Sequence, residues 1–476
     1  MRKKTKIIAT ISDKKCDVEF LKELYDSGMN IVRLNTAHQT HDDALKVIIN
    51  VRKVSDKIAI LLDTKGPEIR TNEMDEDLIV KTGDIIKMKG KPNAKSTNGI
   101  IYLSYKGFVS DVKLGSKILI DDGVLELKVL DKKSDYLVCE VQNDGKIQGR
   151  KSVNIPSALI KLPALTKKDM DFIRFAAEQN LDFIAHSFVR KAADVIAVQS
   201  ILDAMESNMK IIAKIENEEG VENIDEILEH VYGVMVARGD LAIEISAQKL
   251  PVVQKELVKK CMEARKPVIV ATQMLHTMIE NPRPTRAEVN DIANAIFEGT
   301  DAIMLSGETA YGKFPVESVK MMTSIAKEVE ASLPIYRDMD TKVISTRKAA
   351  FMVKAAVEAA VNLPIKGIAA DTYSGNTVRG LAAFRGKALV YAQCYREDTM
   401  RSLALSYGVY CDLINESHDH AEFLKQALAN IKKKDGYGDK EMIAIVAGNF
   451  GKDASASFLE IGRIEQLMSF IGEGKG

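Results

Sequence analysis

The sequence has no surplus of charge of either sign, little cysteine, no long apolar run and no low-complexity tract. Its 67 basic residues are matched by 67 acidic ones, so composition offers no argument for a nucleic acid or an anionic membrane as partner. The five cysteines, at 16, 139, 261, 394 and 411, make no CxxC pair and no cluster. An odd, scattered set argues against a disulfide framework and for reduced thiols in a cytosolic protein. The apolar run after the basic start MRKKTKIIATISDKK is too short for a signal peptide, and nothing approaches the roughly 20 residues that span a bilayer. A cytoplasmic protein is expected.

What is present is enough material for several cores. At 476 residues and 46% hydrophobic content, two to four domains are expected. Short apolar segments recur, each followed by helical periodicity: KIIATIS (6–12), NIVRLN (30–35), IAILLDT (58–64), DFIAHSF (182–188), KIIAKIE (210–216), GVMVARGD (233–240), PVIVATQ (267–273) and AIMLSGE (302–308). DVEFLKELYDSG (17–28) and VQKELVKKCMEAR (253–265) are two of the intervening helices. Near-continuous apolar strands alternating with helices imply a parallel sheet covered on both faces. Eight such units predict a (β/α)8 TIM barrel, an α/β fold.

The alternation breaks once, after the third unit. Residues 72–153 carry β-like runs with Asp-Asp-Gly and Asn-Asp-Gly, both hairpin signals. They predict a small β-barrel domain inserted in a βα loop at the mouth, as a lid. The barrel then comprises residues 1–71 and 154–335, the lid domain 72–153, and residues 336–476 a C-terminal open α/β domain. The Lys432–Lys434 run reads as a solvated helix end.

In such a barrel the C-terminal ends of the strands face the active-site mouth. Collected there are Arg33 and Asn35, Asp63 with Thr64 and Lys65, Lys214 and Glu216, Arg238 with Gly239 and Asp240, Thr272 and Gln273, and Ser306 with Glu308. Charge converges from five strands, which suits a small, highly charged ligand better than a core. Lys214 and Glu216 are two apart and share one side of their strand, and Arg238 and Asp240 repeat that spacing. Glu216 and Asp240 offer two carboxylates to a hard divalent cation such as Mg²⁺, which completes its shell with water and substrate oxygens. A lysine beside them suggests phosphoryl transfer. GETAYGK (307–313) mimics a P-loop, but Phe314 and Pro315 stand where a hydroxyl and a helix are needed. The pairs His38/His41 and His418/His420 read as ordinary histidines rather than metal pairs.

The segments VRLNTAH, LLDTKGPEIRT, IIAKIENEEG, VMVARGDLAIEI, ATQMLHTMIENPRPTRAE and DAIMLSGETAYGKFP closely resemble the pyruvate kinase family, in the family's order and over nearly the whole chain. The resemblance implies transfer of the phosphoryl group of phosphoenolpyruvate to ADP, the last step of glycolysis, followed by protonation of the enolate. It assigns Mg²⁺ to Glu216 and Asp240, the migrating phosphoryl group to Lys214 and Arg33, and the enolate side to Thr272 and Ser306. The substrate carboxylate falls to the main-chain N–H groups of Gly239 and Asp240, and the nucleotide side to Asn35, His38, Arg70 and Lys151. It also implies an allosteric homotetramer.

Family members commonly need K⁺, at positions matching Asn35, Ala37, Asp63 and Thr64. Ala37 lacks the serine hydroxyl of the family pattern, while Glu68 is the residue type of K⁺-dependent members. K⁺ dependence with weakened affinity is expected. Other departures are Ala242 and Ser246 in DLAIEIS, where Gly and Pro are common, Ser152 and Ser157 in place of two glycines near the lid hinge, and His186 where a small residue is usual. In DTYSGNTVRG (371–380), Thr372, Ser374, Gly375, Asn376 and Thr377 resemble the family's sugar-phosphate effector loop; an ordinary turn with a Ser/Asn helix cap is the plainer reading. Two other functions fit parts of the pattern. One is a Mg²⁺-dependent lyase or aldolase acting on pyruvate-like substrates, and the other is a non-catalytic metabolite sensor.

Overall fold

The computed structural model describes residues 2–97, 99–156, 158, 160–333, 346–416, 419–448 and 456–473. Ser157, His418 and the expected boundary at 335/336 lie outside these. Among the described residues no helix is long and apolar enough to cross a membrane.

The eight predicted strands close into one parallel barrel: Lys6–Thr10, Ile31–Asn35, Ala59–Asp63, Phe183–His186, Lys210–Ile215, Gly233–Ala237, Val268–Ala271 and Ala302–Leu305. The last pairs with the first, Lys6 opposite Ala302, and no edge remains. Alternate strand residues divide between two apolar layers. Ile8, Ile31, Leu61, Phe183, Ile212, Met235 and Ile269 fill the interior, while Ile7, Val32, Ile60, Ile184 and Ile211 meet the helices. The helices are bounded by local chemistry. Asp17 caps Val18–Ser27 by accepting from Phe20 N, and Gly28 ends it at φ 119°. Thr166 and Asp169 form a capping box on Lys167–Glu178.

The segment between the third and fourth barrel strands forms a six-stranded sheet (Ile85–Gly90, Ile101–Leu103, Lys117–Ile120, Leu125–Lys132, Leu137–Val141 and Val153–Asn154) and a two-stranded one (Leu78–Val80 with Gly145–Ile147). The two edges of the larger sheet are brought together by residues 70–71, where Arg70 bridges Ser152 and Thr71 bridges Leu103. Asp121-Asp122-Gly123 makes the hairpin its sequence announces, with all three residues at positive φ. Asn143-Asp144-Gly145 does not. The strand it starts pairs with Leu78–Val80 instead of with the strand before it, so this turn switches sheets. Turn residues fix a reversal but not the partner.

The C-terminal sheet runs Val409–Leu413, Leu389–Cys394, Ile365–Thr372, Met442–Ala447, Phe458–Arg463, with only the last strand antiparallel. It docks on the N-terminal end of the barrel, away from the mouth. Arg401 pairs with Asp182 at 2.6 Å and Arg385 with Asp301 at 2.7 Å, and Leu405 plugs the barrel floor. The lysine run is not uniformly solvated: Lys434 is partly buried and pairs with Asp412 at 2.6 Å, because the helix His420–Asp435 ends against this junction.

Candidate functional site at the barrel rim

The fifth strand ends at Ile215, so Lys214 and Glu216 straddle its last residue and share a side. The Lys214 ammonium lies 3.0 Å from Glu216, 3.0 Å from Asp63 and 2.7 Å from the Ser187 hydroxyl. Asp63 in turn accepts from Arg33 Nε at 2.7 Å, and Arg33 also donates to Thr10. Asp63 and Glu216 side chains are each 1% exposed, so water screens none of this. Burial alone disfavours the Lys214 ammonium, yet Asp63 and Glu216 outweigh it and hold the amine protonated beyond its ordinary range. Burial likewise works against the Asp63 carboxylate, which Lys214 and Arg33 nevertheless keep ionised.

Glu216 behaves in the opposite way. Desolvation, with Asp240 and Asp63 nearby, pushes it up to about 7 against the pull of Lys214. Asp240 is raised too, chiefly by burial, and its carboxyl hydrogen-bonds that of Glu216. Two buried carboxyls that resist ionising together form the donor set a hard divalent cation relieves. The residues therefore fit Mg²⁺. Among the described residues no cluster of three or more acidic, histidine or cysteine groups forms a larger metal cage.

The third strand's exit is held from outside the mouth. Asp169 accepts from Lys65 N and Gly66 N, at 3.1 and 3.2 Å, with one oxygen while capping its own helix with the other. Gly66, at φ +72°, has Ser187 and Phe188 where a Cβ would sit. Phe188 N donates to Glu216 at 2.7 Å. Ser187 and Phe188 are site residues that the strand-end pattern does not predict. The fourth strand contributed no charge to the rim, although a hydroxyl at its end was the available signal.

Arg238 does not follow the predicted strand spacing. The sixth strand stops at Ala237, and Arg238–Glu244 is a helix, so Arg238 and Asp240 do not share a side of a strand. Arg238 turns outward and clamps the carbonyls of Ala271 and Thr272 and the Asp291 carboxylate. That clamp holds Thr272 and Gln273 at φ 70° and 53°, a strained conformation for a β-branched residue. Thr272 Oγ1 accepts from Gly239 N at 2.8 Å, so this N–H, expected to be open to substrate, is engaged. Glu308 is also a strut: it sits in the short helix Gly307–Ala310 and accepts from Leu275 N and Ser306 N.

Asn35, Asp63 and Thr64 gather at neighbouring strand ends, Asn35 directly opposite Asp63. Their oxygens are occupied. Asn35 Oδ1 accepts from Ala37 N, Thr64 Oγ1 from Ser187 N, and Asp63 holds two cationic side chains. A monovalent cation would have to share these acceptors. His186 is fully buried with neither ring nitrogen hydrogen-bonded among the described residues, and burial pulls it down to about 4, leaving a neutral ring.

Between the insertion and the rim lies a cleft of about 590 Å³, lined by Glu68, Arg70, Lys151, Phe188, Asp240 and Glu244 among others. Arg70 and Lys151 thus reach the same cavity as Asp240, whereas Asn35 and the exposed His38 do not line it. Ser152 ties the cleft's edge together, donating to Asp122 at 2.7 Å and accepting from its N–H at 3.0 Å.

At the far end of the C-terminal strands, the loop 372–377 is ordered by itself. Thr372 Oγ1 accepts from Gly375 N at 2.8 Å. The helix Asn376–Ala383 begins after Gly375, at φ 83°, with no side-chain cap. The Ser/Asn cap of the alternative reading is not formed among the described residues, because Gly375 occupies the capping position.

Residues 2–319 match the family description "Pyruvate kinase, barrel domain", and residues 351–461 match "Pyruvate kinase, alpha/beta domain". The chain is 49% identical over 475 residues to a pyruvate kinase of Borreliella burgdorferi, covering 98% of each. It is 42% identical to one of Geobacillus stearothermophilus, covering all of this chain and 83% of that one. A Staphylococcus epidermidis pyruvate kinase is 39% identical with the same coverage.

Proposed function

The chain belongs to the pyruvate kinase family, enzymes that pass the phosphoryl group of phosphoenolpyruvate to ADP, and we propose that the rim cluster centred on Lys214 carries this reaction. The observation that bears the reading is one ammonium shared between Asp63 and Glu216 beside the Glu216–Asp240 carboxyl pair. Glu216 and Asp240 would hold Mg²⁺, which when bound supplies positive charge to the phosphate and enolate oxygens. Lys214 and Arg33, fixed by Asp63, present two cations to the migrating phosphoryl group without reorganising. Thr272 and Ser306 flank the enolate and relay its proton. For the substrate carboxylate to reach Gly239 N and Asp240 N, the Thr272 hydroxyl must first release the Gly239 N–H.

Arg70 and Lys151 face the nucleotide phosphates across the cleft, with Asn35 and His38 on the far side of the same exit. Residues 72–153 act as a lid that closes on the phosphates and keeps water from intercepting the transfer. Asn35, Asp63 and Thr64 bind K⁺ weakly. Thr372, Ser374, Gly375, Asn376 and Thr377 cradle a sugar phosphate at the uncapped start of their helix. The division into 1–71 with 154–335, 72–153 and 336–476, a cytoplasmic location and a homotetrameric state belong to the same reading. Full-length similarity and a cleft with cationic nucleotide-side residues favour it over a lyase or a sensor.

The test is a coupled assay of pyruvate formed from phosphoenolpyruvate, omitting ADP and Mg²⁺ in turn. Pyruvate released without ADP would indicate hydrolysis of the phosphate ester in place of transfer, and none under any condition would leave a lyase or a sensor.

A further inference from the structure

Among the cysteines, one thiol stands in a setting unlike the others. Cys16, Cys139, Cys261 and Cys394 are each 3% exposed or less. Burial raises the Cys16, Cys139 and Cys261 thiols, Cys139 to about 12, which leaves them inert. Cys411 is partly exposed. It lines a cleft of about 520 Å³, together with Lys6, Tyr410 and Lys434, where the C-terminal sheet docks on the barrel.

Cys411 sits in Val409–Leu413, the edge strand of the C-terminal sheet, directly opposite Ala392 of Leu389–Cys394. Cys394 lies two residues beyond Ala392, so its side chain takes the same face, and both cysteines pack in one apolar cluster. There the two thiols hydrogen-bond each other. The Ala392 carbonyl lies 3.9 Å from the Cys394 sulfur, a long contact even for a thiol. Lysines close the other side. Lys6, from the first barrel strand, donates to the Val409 carbonyl, and Lys434 donates to the carbonyl of Cys411 itself at 2.9 Å.

The Cys394 hydrogen bond, with the charges of Lys6 and Lys434, outweighs burial and Asp412 and holds the Cys411 thiol below its ordinary range. Cys394 is raised well above that range, by the same hydrogen bond and then by burial. Cys394 is therefore the S–H donor, and Cys411 the acceptor with thiolate character.

We propose that Cys411 is an oxidation site, which a small hydroperoxide entering the cleft converts to a sulfenic acid, with Cys394 as the hydrogen-bond donor that activates it. The Cys411 sulfur attacks one peroxide oxygen, the O–O bond breaks, and the departing hydroxide takes up a proton and leaves as water. Sulfur loses two electrons and the peroxide gains them. A second step is open to the Cys394 sulfur. Its attack on the Cys411 sulfur breaks the new S–O bond, releases water with the Cys394 proton and leaves a disulfide. Either product removes the anionic sulfur that Lys6 faces across the docking surface. The chemistry uses no group of the rim.

The test treats the full chain with hydrogen peroxide and dimedone, which traps sulfenic acids, and maps the modified peptides by mass spectrometry. Cys411 is expected to carry the dimedone adduct, or a disulfide to Cys394, about tenfold or more ahead of Cys16, Cys139 and Cys261. In Cys394→Ala the Cys411 rate at pH 7 is expected to fall severalfold and to recover as pH rises, because the donor is gone and the thiol ionises later. Should that variant fail to fold, the parent carries the comparison, with Cys411 reaching half its maximal rate below about pH 8.5, the free-thiol value. Oxidation spread evenly over the five cysteines, none at Cys411, or a Cys411 rate unchanged in Cys394→Ala overturns the proposal.

Discussion

Lys214 reaches across the fourth barrel strand to set its ammonium 3.0 Å from Asp63 at the end of the third. The same nitrogen takes Glu216 and Ser187 as its other acceptors, so three donors meet three oxygens. A lysine so held cannot swing away, and its charge is fixed where a phosphoryl group would pass. The arrangement is preorganised, and what it costs in desolvation is offset by paired charges.

Glu216→Gln removes a carboxyl that its surroundings push up to about 7. Without metal, the variant is expected to melt no lower than the parent, with a gain on the order of 1 kcal/mol. Its kcat falls by about a hundredfold or more. Mg²⁺ raises the melting temperature of the parent alone. Parent-like turnover together with a parent-like Mg²⁺ response would take Glu216 out of the metal site.

Arg238→Met should act at a distance. It frees the carbonyls of Ala271 and Thr272 and leaves Asp291 unpaired, a loss of about 2 kcal/mol. The turn that holds Thr272 at φ 70° then relaxes. Denaturant melts would show the destabilisation, and kinetics a drop in kcat larger than the change in KM for ADP. Unaltered kcat in a destabilised protein would mean that the strained turn has no catalytic use.

Potassium offers a third check. Ala37→Ser restores a hydroxyl beside Asn35, and its half-saturating K⁺ concentration is expected to fall severalfold below the parent's. Initial rates across a K⁺ series at constant ionic strength measure this. Turnover that is the same with and without K⁺ in the parent would dismiss the site at Asn35, Asp63 and Thr64.

The fourth concerns Asp371, which burial raises to about 6 while its carboxylate accepts from Gly448 N. The folded chain therefore binds this proton more tightly than the unfolded chain, and stability falls as pH rises from about 4 to about 6. Asp371→Asn cannot ionise. Parent and variant should melt alike below pH 4, with the variant higher at pH 7 by on the order of 2 kcal/mol. Identical melting at pH 7 would refute the shift.

Much of this was legible in the order of residues. Eight apolar runs with turn punctuation specify eight buried parallel strands, because only such strands are apolar on both faces. The Lys214–Glu216 pair was legible because a strand's period of two is local. Arg238 and Asp240 carry the same spacing and misled, since the chain turns helical at Arg238 and no local signal marks the change. Asn143-Asp144-Gly145 misled in the same way: its turn was right and its partner strand wrong.

The sequence by itself determined the barrel, the insertion's β character and the set of charged residues at the strand ends, for these follow from periodicity and turn chemistry within short windows. Only the tertiary structure decided how those charges are shared. It gave Lys214 to Asp63 across a strand, turned Arg238 away from the mouth and recruited Ser187. The reason is physical. Pairing energies and desolvation depend on distances through space between residues far apart in the chain, and no local pattern encodes them.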